Sequence, residues 1–267
     1  MDAGALDKAA KAIVAAYAMG RSIERLEPEL RPVALEDAYA VQDLVLSAKG
    51  PAAGWKVGCS PADGLVTCAP LFDFRVFAGG QVPSPRELLG TGVEIEFAFH
   101  IGADLPKREH AYDIDDIRVA VDGFCPLVEL VGGRFTDRSQ LSPMEQLADG
   151  FGAAVIVGER VPVWRQIDFR HLRAELWIDG FCHQVAQDCH PAGNPLRLVT
   201  WLANHLAVRP GSGGLRSGDL VTTGGLAGVT PVIGGERIEA RYIALGEHEI
   251  ARLDADFMVS PVVGLTP

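Results

Sequence analysis

Between residues 93 and 101 every second residue is apolar, which is the spacing of a strand with one buried face. Glu94 and Glu96 occupy positions in between, so their side chains project from the same face. Their attachment points lie about 6.6 Å apart, two strand rises, so both carboxylates can reach one ion. The pattern predicts a strand over 94–101 that carries a pair of acidic side chains.

A third acidic residue, Glu129, lies within the apolar run 126–131, which is short and branched enough to be an interior strand. An unpaired carboxylate there would cost several kcal/mol or take up a proton. A divalent cation would compensate all three acids, and carboxylate oxygens suit Mg²⁺ or Mn²⁺ better than zinc. Two alternatives stay open. Glu94 and Glu96 could form a solvated face paired with basic neighbours, and Glu129 could form a buried ion pair, for instance with Arg134.

Two amphipathic helices are predicted at the start of the chain. Residues 5–18 are rich in helix formers and place their apolar side chains on one stripe. Residues 35–48 repeat this pattern and end before Gly50-Pro51, a combination that stops helices. Two more helical patterns cover residues 113–121 and 195–206, and the second has an apolar face suited to covering a sheet.

After Gly54 the pattern changes to short alternating or branched runs separated by glycine and proline, which indicates a strand-rich body. We therefore predict an N-terminal helical segment, residues 1–52, followed by a β-rich body, residues 53–267. The predicted strands are 54–57, 94–101, 126–131, 153–157, 173–178, 220–223, 237–244 and 248–253.

The charge of the chain argues against two classes of partner. The formal net charge is −11, and no stretch combines Lys or Arg with aromatic residues into a strip that could follow a nucleic acid. No apolar run is long enough to span a membrane, and Asp2 and Asp7 stand where a secretory signal would carry basic residues. Five cysteines without a Cys-x-x-Cys pair favour reduced thiols. We expect a cytoplasmic protein.

Lys56 is the second candidate for chemistry, in the short apolar strand Gly54-Trp-Lys-Val-Gly58. A lysine with little room to reach solvent needs a carboxylate partner, an arrangement common at active sites. The alternative is a stem lying along apolar surface with the ammonium in water. A third feature is the glycine-rich loop within residues 218–231, which would let backbone N–H groups approach an anionic ligand; a wide hairpin connection is its alternative.

Five motifs follow one another along nearly the whole chain and together resemble one branch of the fumarylacetoacetate hydrolase superfamily, that of the 2-keto-4-pentenoate hydratases and 4-oxalocrotonate decarboxylases. The helical segment containing Leu35-Glu-Asp-Ala-Tyr-Ala-Val-Gln42 resembles this branch too. The motifs are Gly54-Trp-Lys-Val-Gly58, Gly92-Val-Glu-Ile-Glu-Phe-Ala-Phe99 with Gly102-Ala-Asp-Leu-Pro106, Leu127-Val-Glu-Leu-Val131 with Arg134-Phe135, Trp201-Leu-Ala-Asn204, and Gly218-Asp-Leu-Val-Thr-Thr-Gly224.

The resemblance implies an α+β fold, in which a rolled, barrel-like mixed β-sheet is flanked by helices and preceded by the N-terminal helical segment. It implies Mg²⁺ or Mn²⁺ at Glu94, Glu96 and Glu129, and a catalytic lysine at Lys56. The family's acidic catalytic residue corresponds to Asp73 if the alignment is shifted by two residues. Its substrates are short 2-oxo or 2-hydroxydienoic acids. We therefore predict a hydratase that adds water to a 2-hydroxypentadienoate-type dienoate and gives a 4-hydroxy-2-oxo acid.

The chain departs from this branch at Ala148-Asp-Gly-Phe-Gly152, where family hydratases commonly carry an Asn and a Ser-Ser pair. Three alternatives therefore stay open: a 2-oxo acid decarboxylase, an acylpyruvate C–C hydrolase, or a non-catalytic partner subunit. The resemblance also implies a homo-oligomer. Phe72, Phe74 and Phe77, crowded into one loop-like stretch, could pack in the core, cover a neighbouring subunit or close over the site.

Overall fold

The computed structural model describes residues 1–187, 190–244 and 248–260. Its helices are α1 (Ala3–Met19), α2 (Leu35–Lys49), α3 (Ile114–Ala120), α4 (Pro143–Asp149) and α5 (Leu196–Val208). Its strands are β1 (Ala52–Cys59), β2 (Val66–Phe72), β3 (Val76–Ala78), β4 (Gly80–Val82), β5 (Gly90–Ile101), β6 (Val121–Gly132), β7 (Ala154–Val157), β8 (Arg173–Ile178), β9 (Phe181–Ala186), β10 (Leu220–Thr222), β11 (Thr230–Pro231), β12 (Arg237–Ala244) and β13 (His248–Phe257).

The strands form two sheets. The larger has the order β2-β1-β10-β5-β6-β7-β3, with β11 beside β5, and it mixes parallel with antiparallel pairs. The smaller has the order β4-β13-β12-β8-β9. The predicted class is confirmed: a mixed sheet curls into a half-barrel flanked by helices, and two helices precede it.

The long strands β5 and β6 form the centre of the larger sheet and pair along almost their whole length. The alternation in the sequence sets their two faces. Ile95, Phe97 and Phe99 are fully buried in the main core, which also includes residues of α5 and the smaller sheet. The other face carries the acidic residues and a small apolar cluster that includes Ala98 and Leu127. The predicted strand is therefore confirmed, but the expectation of one solvent-exposed face is wrong, because Glu96 and Ala98 are buried as well.

Tyr242 on β12 joins the two sheets at this centre. Its side chain is fully buried, and its hydroxyl donates a hydrogen bond to the carbonyl oxygen of Glu96. The same hydroxyl accepts a hydrogen bond from the backbone N–H of Leu127 at 3.2 Å. Burial raises the pKa of Tyr242, so the hydroxyl keeps its proton and remains a donor. The smaller sheet thus fixes β5 and β6 at the position of Glu96.

The N-terminal helices pack on α4 and β2 through a second core, to which Ile13, Val41 and Leu147 belong. Arg25, in the connection between α1 and α2, pairs with Glu145 on α4 through hydrogen bonds of 2.9 and 2.7 Å. Arg209 of the body also pairs with Asp43 on α2 at 2.7 Å. The helical segment is thus attached to the body by apolar packing and by ion pairs. The division at residue 52 stays a prediction. None of the described helices has both the length and the apolar character needed to cross a membrane.

All predicted helices and strands have counterparts, but several short elements were not predicted. The interpretation of Phe72, Phe74 and Phe77 as one loop-like stretch is wrong, because β2 ends at Phe72 and β3 contains Phe77. Pro70 obscured β2, which can hold a proline because it lies at a sheet edge. Core packing is confirmed for Phe72, which is buried with its ring centroid 5.6 Å from that of Tyr17. The unpredicted elements are α4, β2, β3, β4, β9 and β11.

The Arg25–Glu145 pair makes stability depend on pH. The hydrogen bond from Arg25 lowers the pKa of Glu145 to about 2. A glutamate in an unfolded chain has a pKa of about 4.3, so the ionised carboxylate stabilises the fold above that pH and this contribution is lost as the pH falls toward 2. We expect Glu145→Gln to melt below the wild type at neutral pH, with a gap that narrows as the pH falls through this window.

Thermal unfolding followed by circular dichroism at a series of pH values measures this gap. Glu109→Gln, an exposed acid with no hydrogen bond or ion pair among the described residues, is the matched control and should melt like the wild type. A gap between wild type and Glu145→Gln that keeps its size down to pH 2 would contradict the assignment.

Candidate active site

Four neighbouring strands place the candidate residues side by side. Lys56 on β1 pairs in register with Thr222 on β10, and β10 pairs with β5, which carries Glu94 and Glu96. Glu94 lies directly opposite Glu129 on β6. Lys56 and the three glutamates line one cavity of about 350 Å³. The structure therefore brings together four of the five site residues predicted from the sequence.

The three carboxylates are largely shielded from water. Glu96 and Glu129 are 2% and 4% exposed, and Glu94 is partly buried. Burial, followed by the charge of Glu129, raises the pKa of Glu94 and raises that of Glu96 well above its usual range. Because like charges directly opposite each other on paired strands are destabilising, the site favours a compensating cation.

Two polar neighbours take up part of this negative charge. Lys56 Nζ forms an ion pair with Glu129 Oε1, and the Thr222 hydroxyl donates a hydrogen bond to Glu96 Oε2. The carboxylate partner expected for Lys56 is therefore Glu129. The alternative in which Lys56 leaves its ammonium in water is wrong, because its side chain is 14% exposed.

A buried ion pair shapes the segment beside the acids. Arg134 Nε donates to Asp149 Oδ1 at 2.6 Å, and Arg134 Nη1 donates to the carbonyl oxygen of Gly152 at 2.8 Å. The alternative pairing of Arg134 with Glu129 is therefore wrong. A Cβ atom on Gly152 would overlap both Glu129 Oε1 and Lys56 Nζ. Arg134 thus positions a glycine where no side chain fits.

The glycine-rich loop after β10 reaches the same cavity through Gly224 and Gly225. A Cβ atom on Gly225 would come within 2.7 Å of Glu94 Oε2. The backbone of the loop therefore lies directly against this acid, as the absence of side chains allows.

Within the described ranges, no group of three or more His, Cys, Asp or Glu side chains is already arranged to hold a metal ion. The orientation of the acids explains this, because Glu129 points to Lys56 and Glu96 points to Thr222. The chemistry of the donors nevertheless fits a hard divalent cation, since three desolvated carboxylates face a single ammonium group. For all three acids to bind a cation, Glu129 has to turn away from Lys56.

Asp73 is not brought to this site. It is exposed at the start of the short 3₁₀ helix Asp73–Arg75, directly after β2, and it does not line the cavity. The shifted alignment that suggested a catalytic Asp73 gains no support from the geometry. We assign this residue no catalytic role.

Several lining residues were not among the candidates predicted from the sequence, and Phe151 and Arg138 are the two that matter for the chemistry. Phe151 follows α4, and Arg138 begins the 3₁₀ helix Arg138–Gln140. Neither lies in a periodic pattern that would mark an inward-facing side chain. The one signal for Arg138 is a basic residue in the loop shortly after the acidic strand β6.

Comparison with known families identifies the class of protein. Residues 74–253, about two thirds of the chain, match the fumarylacetoacetate (FAA) hydrolase C-terminal family. The chain therefore belongs to the fumarylacetoacetate hydrolase family. The superfamily recognised from the motifs, and the enzyme class that it implies, are confirmed.

Named relatives resemble the chain over most of its length. It is 29% identical to the TodF product hydratase of Pseudomonas putida, over 91% of this chain and 93% of that protein. It is 27% identical to 2-keto-4-pentenoate hydratase 1 of Dechloromonas aromatica, over 90% of this chain and 94% of that protein. The structure of 4-oxalocrotonate decarboxylase from Pseudomonas putida G7, complexed with magnesium and adipate, superposes with a TM-score of 0.82 at 24% identity, covering 97% of this chain and 99% of that one.

Gly152 provides a test of this geometry. In Gly152→Ala the added methyl group collides with the Lys56–Glu129 pair, and we expect the free energy of unfolding to fall by about 1–3 kcal/mol. Gly228→Ala is the matched control, because its Cβ atom meets nothing closer than Gln184 Nε2 at 4.0 Å. Urea unfolding of both variants measures the difference. Equal stability of the two would show that the pair does not occupy this position.

Proposed function

We propose that this protein is a metal-dependent hydratase that adds water to a 2-hydroxy-2,4-dienoate, of the 2-hydroxypentadienoate type, and forms a 4-hydroxy-2-oxo acid. The observation that carries the proposal is the set of desolvated carboxylates beside Lys56 on the wall of one cavity. A cavity of about 350 Å³ has the size of small-molecule sites. The names of the relatives support hydration.

Glu94, Glu96 and Glu129 would hold Mg²⁺ or Mn²⁺. The magnesium in the related decarboxylase structure supports a divalent cation in this fold. When bound, the cation supplies a Lewis acid that stabilises negative charge on the 2-oxygen of the substrate. By resemblance to the family, we further propose that the protein is a homo-oligomer.

The chain's own residues supply the rest of the chemistry. Hydration moves one proton from the 2-hydroxyl to C5, and water then adds its oxygen to C4 and a proton to C3. Lys56 Nζ lies beside the acids on the cavity wall, where it can pair with the substrate carboxylate or carry one of these protons. Val131 and Phe151 on the same wall offer apolar contact to the hydrocarbon part of the dienoate.

Removing one acid tests the proposed metal site. In Glu96→Gln we expect Mg²⁺ affinity to fall and turnover of 2-hydroxypentadienoate to drop by about 100-fold or more, because charge stabilisation worth several kcal/mol is lost. Calorimetry measures the Mg²⁺ affinity, and the absorbance of the dienoate measures turnover. The exposed acid variant Glu159→Gln is the matched control. Full metal affinity and turnover in Glu96→Gln would refute the site.

Lys56 should affect catalysis without being needed for the metal. In Lys56→Met we expect turnover to fall by about 100-fold or more, since a positioned proton carrier is lost. Mg²⁺ affinity should be retained or increase, because Glu129 is released from its ion pair. Calorimetry and turnover assays on the same preparation separate the two effects. A parallel loss of both would assign Lys56 a structural role.

Decarboxylation of a 2-oxo acid is the second candidate, because the fold of 4-oxalocrotonate decarboxylase extends over nearly the whole chain. Assays with a dienoate, oxaloacetate and acylpyruvates, each with Mn²⁺, distinguish hydration, decarboxylation and C–C hydrolysis. A non-catalytic partner subunit would show neither metal uptake nor turnover of any of these substrates.

A further inference from the structure

Arg138 lies at the outer end of the site. It lines the 350 Å³ cavity together with the acids and also lines a larger cavity of about 770 Å³ toward the surface. The exposed side chain of Arg86 lines this outer cavity as well. Arg138 therefore stands at the boundary between the reaction site and the space through which a ligand can extend.

The guanidinium of Arg138 is only partly used by the protein. Its Nη1 atom donates hydrogen bonds to the carbonyl oxygens of Gly132 and, at 2.8 Å, Phe151. Among the described residues, Nε and Nη2 have no acceptor, and no carboxylate lies within 4 Å of the guanidinium. The two buried arginines Arg134 and Arg209 differ in this respect, because Arg134 pairs with Asp149 and Arg209 pairs with Asp43.

Three acids lie close enough to act on the charge of Arg138, but among the described residues none of them forms an ion pair with it. Asp149, Glu129 and Glu94 all act on it electrostatically. Asp149 is bound to Arg134, and Glu129 is bound to Lys56. Burial has the largest effect on Arg138 and lowers its pKa, because the charged guanidinium is incompletely hydrated. A guanidinium keeps its charge in proteins, so a partly desolvated one favours an anion from the ligand.

The outer cavity supports an anionic ligand. Among the described residues that line it, the one acid is Asp137, whose carboxylate accepts hydrogen bonds from the backbone N–H and hydroxyl of Ser139, at 2.9 and 2.6 Å. Arg86 and Arg138 supply positive charge to the same space. Such a field attracts a ligand that carries negative charge at its outer end.

We infer that Arg138 binds a second carboxylate at the far end of the substrate, so that within the proposed hydration reaction a dicarboxylic 2-hydroxydienoate is preferred over the monocarboxylic 2-hydroxypentadienoate. This inference rests on the proposed function, because it takes the acid cluster as the position of the 2-oxo acid end. A planar fork with Nε and Nη2 free matches the two oxygens of a carboxylate. Arg138 is in this view a specificity-determining residue.

The test compares two ligands that differ only in the far carboxylate, 2-oxoadipate and 2-oxohexanoate, by calorimetry in the presence of Mg²⁺. The wild type should bind 2-oxoadipate about tenfold or more tightly than 2-oxohexanoate, the range of a hydrogen bond to a charged group. In Arg138→Gln this ratio should fall to about one, through weaker binding of 2-oxoadipate. Arg197→Gln, an exposed arginine on α5, is the matched control and should keep the ratio.

Arg138→Lys, which keeps the charge without the fork, should retain part of the ratio. Arg138→Lys also replaces Arg138→Gln as the test variant if the melting temperature shows that Arg138→Gln does not fold. A wild-type ratio near one, or an equal loss for both ligands in Arg138→Gln, overturns the inference. If the protein hydrates 2-hydroxypentadienoate but binds 2-oxoadipate and 2-oxohexanoate equally, the proposed function stands and only the inference about Arg138 fails. Tighter binding of 2-oxoadipate than of 2-oxohexanoate, without hydration of any dienoate, would refute the proposed hydratase reaction but not the role of Arg138.

Discussion

The pairing of β5 with β6 places Glu94 directly opposite Glu129, and the rest of the site depends on this constraint. Two carboxylates that face each other across a strand pair repel, and their partial removal from water increases the cost. Glu96 adds a third acidic side chain two residues along the same face. Because the sheet register fixes these positions, the repulsion cannot be relieved by moving the backbone.

The surrounding structure holds the acids in place instead of separating them. Tyr242 fixes the backbone at Glu96 from the opposite sheet, and Thr222 orients the carboxylate of Glu96 from β10. Arg134 secures the segment that ends at Gly152, whose missing side chain leaves room for Lys56 and Glu129. Each of these contacts limits how far an acid can turn toward solvent. The stability lost in this arrangement is offset by the two apolar cores.

Much of the fold and most of the site could be predicted because the signals were periodic. Alternating apolar residues fixed the face of Glu94 and Glu96, and an acid in a branched run identified Glu129. The unpredicted elements lack such a pattern. Pro70 disguised the edge strand β2, and the exposed edge strand β9 has no buried face to create alternation. Arg138 could not be predicted, because only tertiary packing brings its loop against the acidic strands.

The two ends of the cavity differ in the kind of interaction that they offer. At the inner end, three acids and Lys56 leave a negative excess that a divalent cation would match, so a ligand there would bind by coordinating the cation through its oxygens. At the outer end, Arg138 offers directed N–H groups and a charge that the protein leaves unpaired. An extended acid can satisfy both ends only if a second anionic group reaches the guanidinium. The same chemical difference would orient the ligand, because its 2-oxo acid end matches the cation and its far carboxylate matches the arginine.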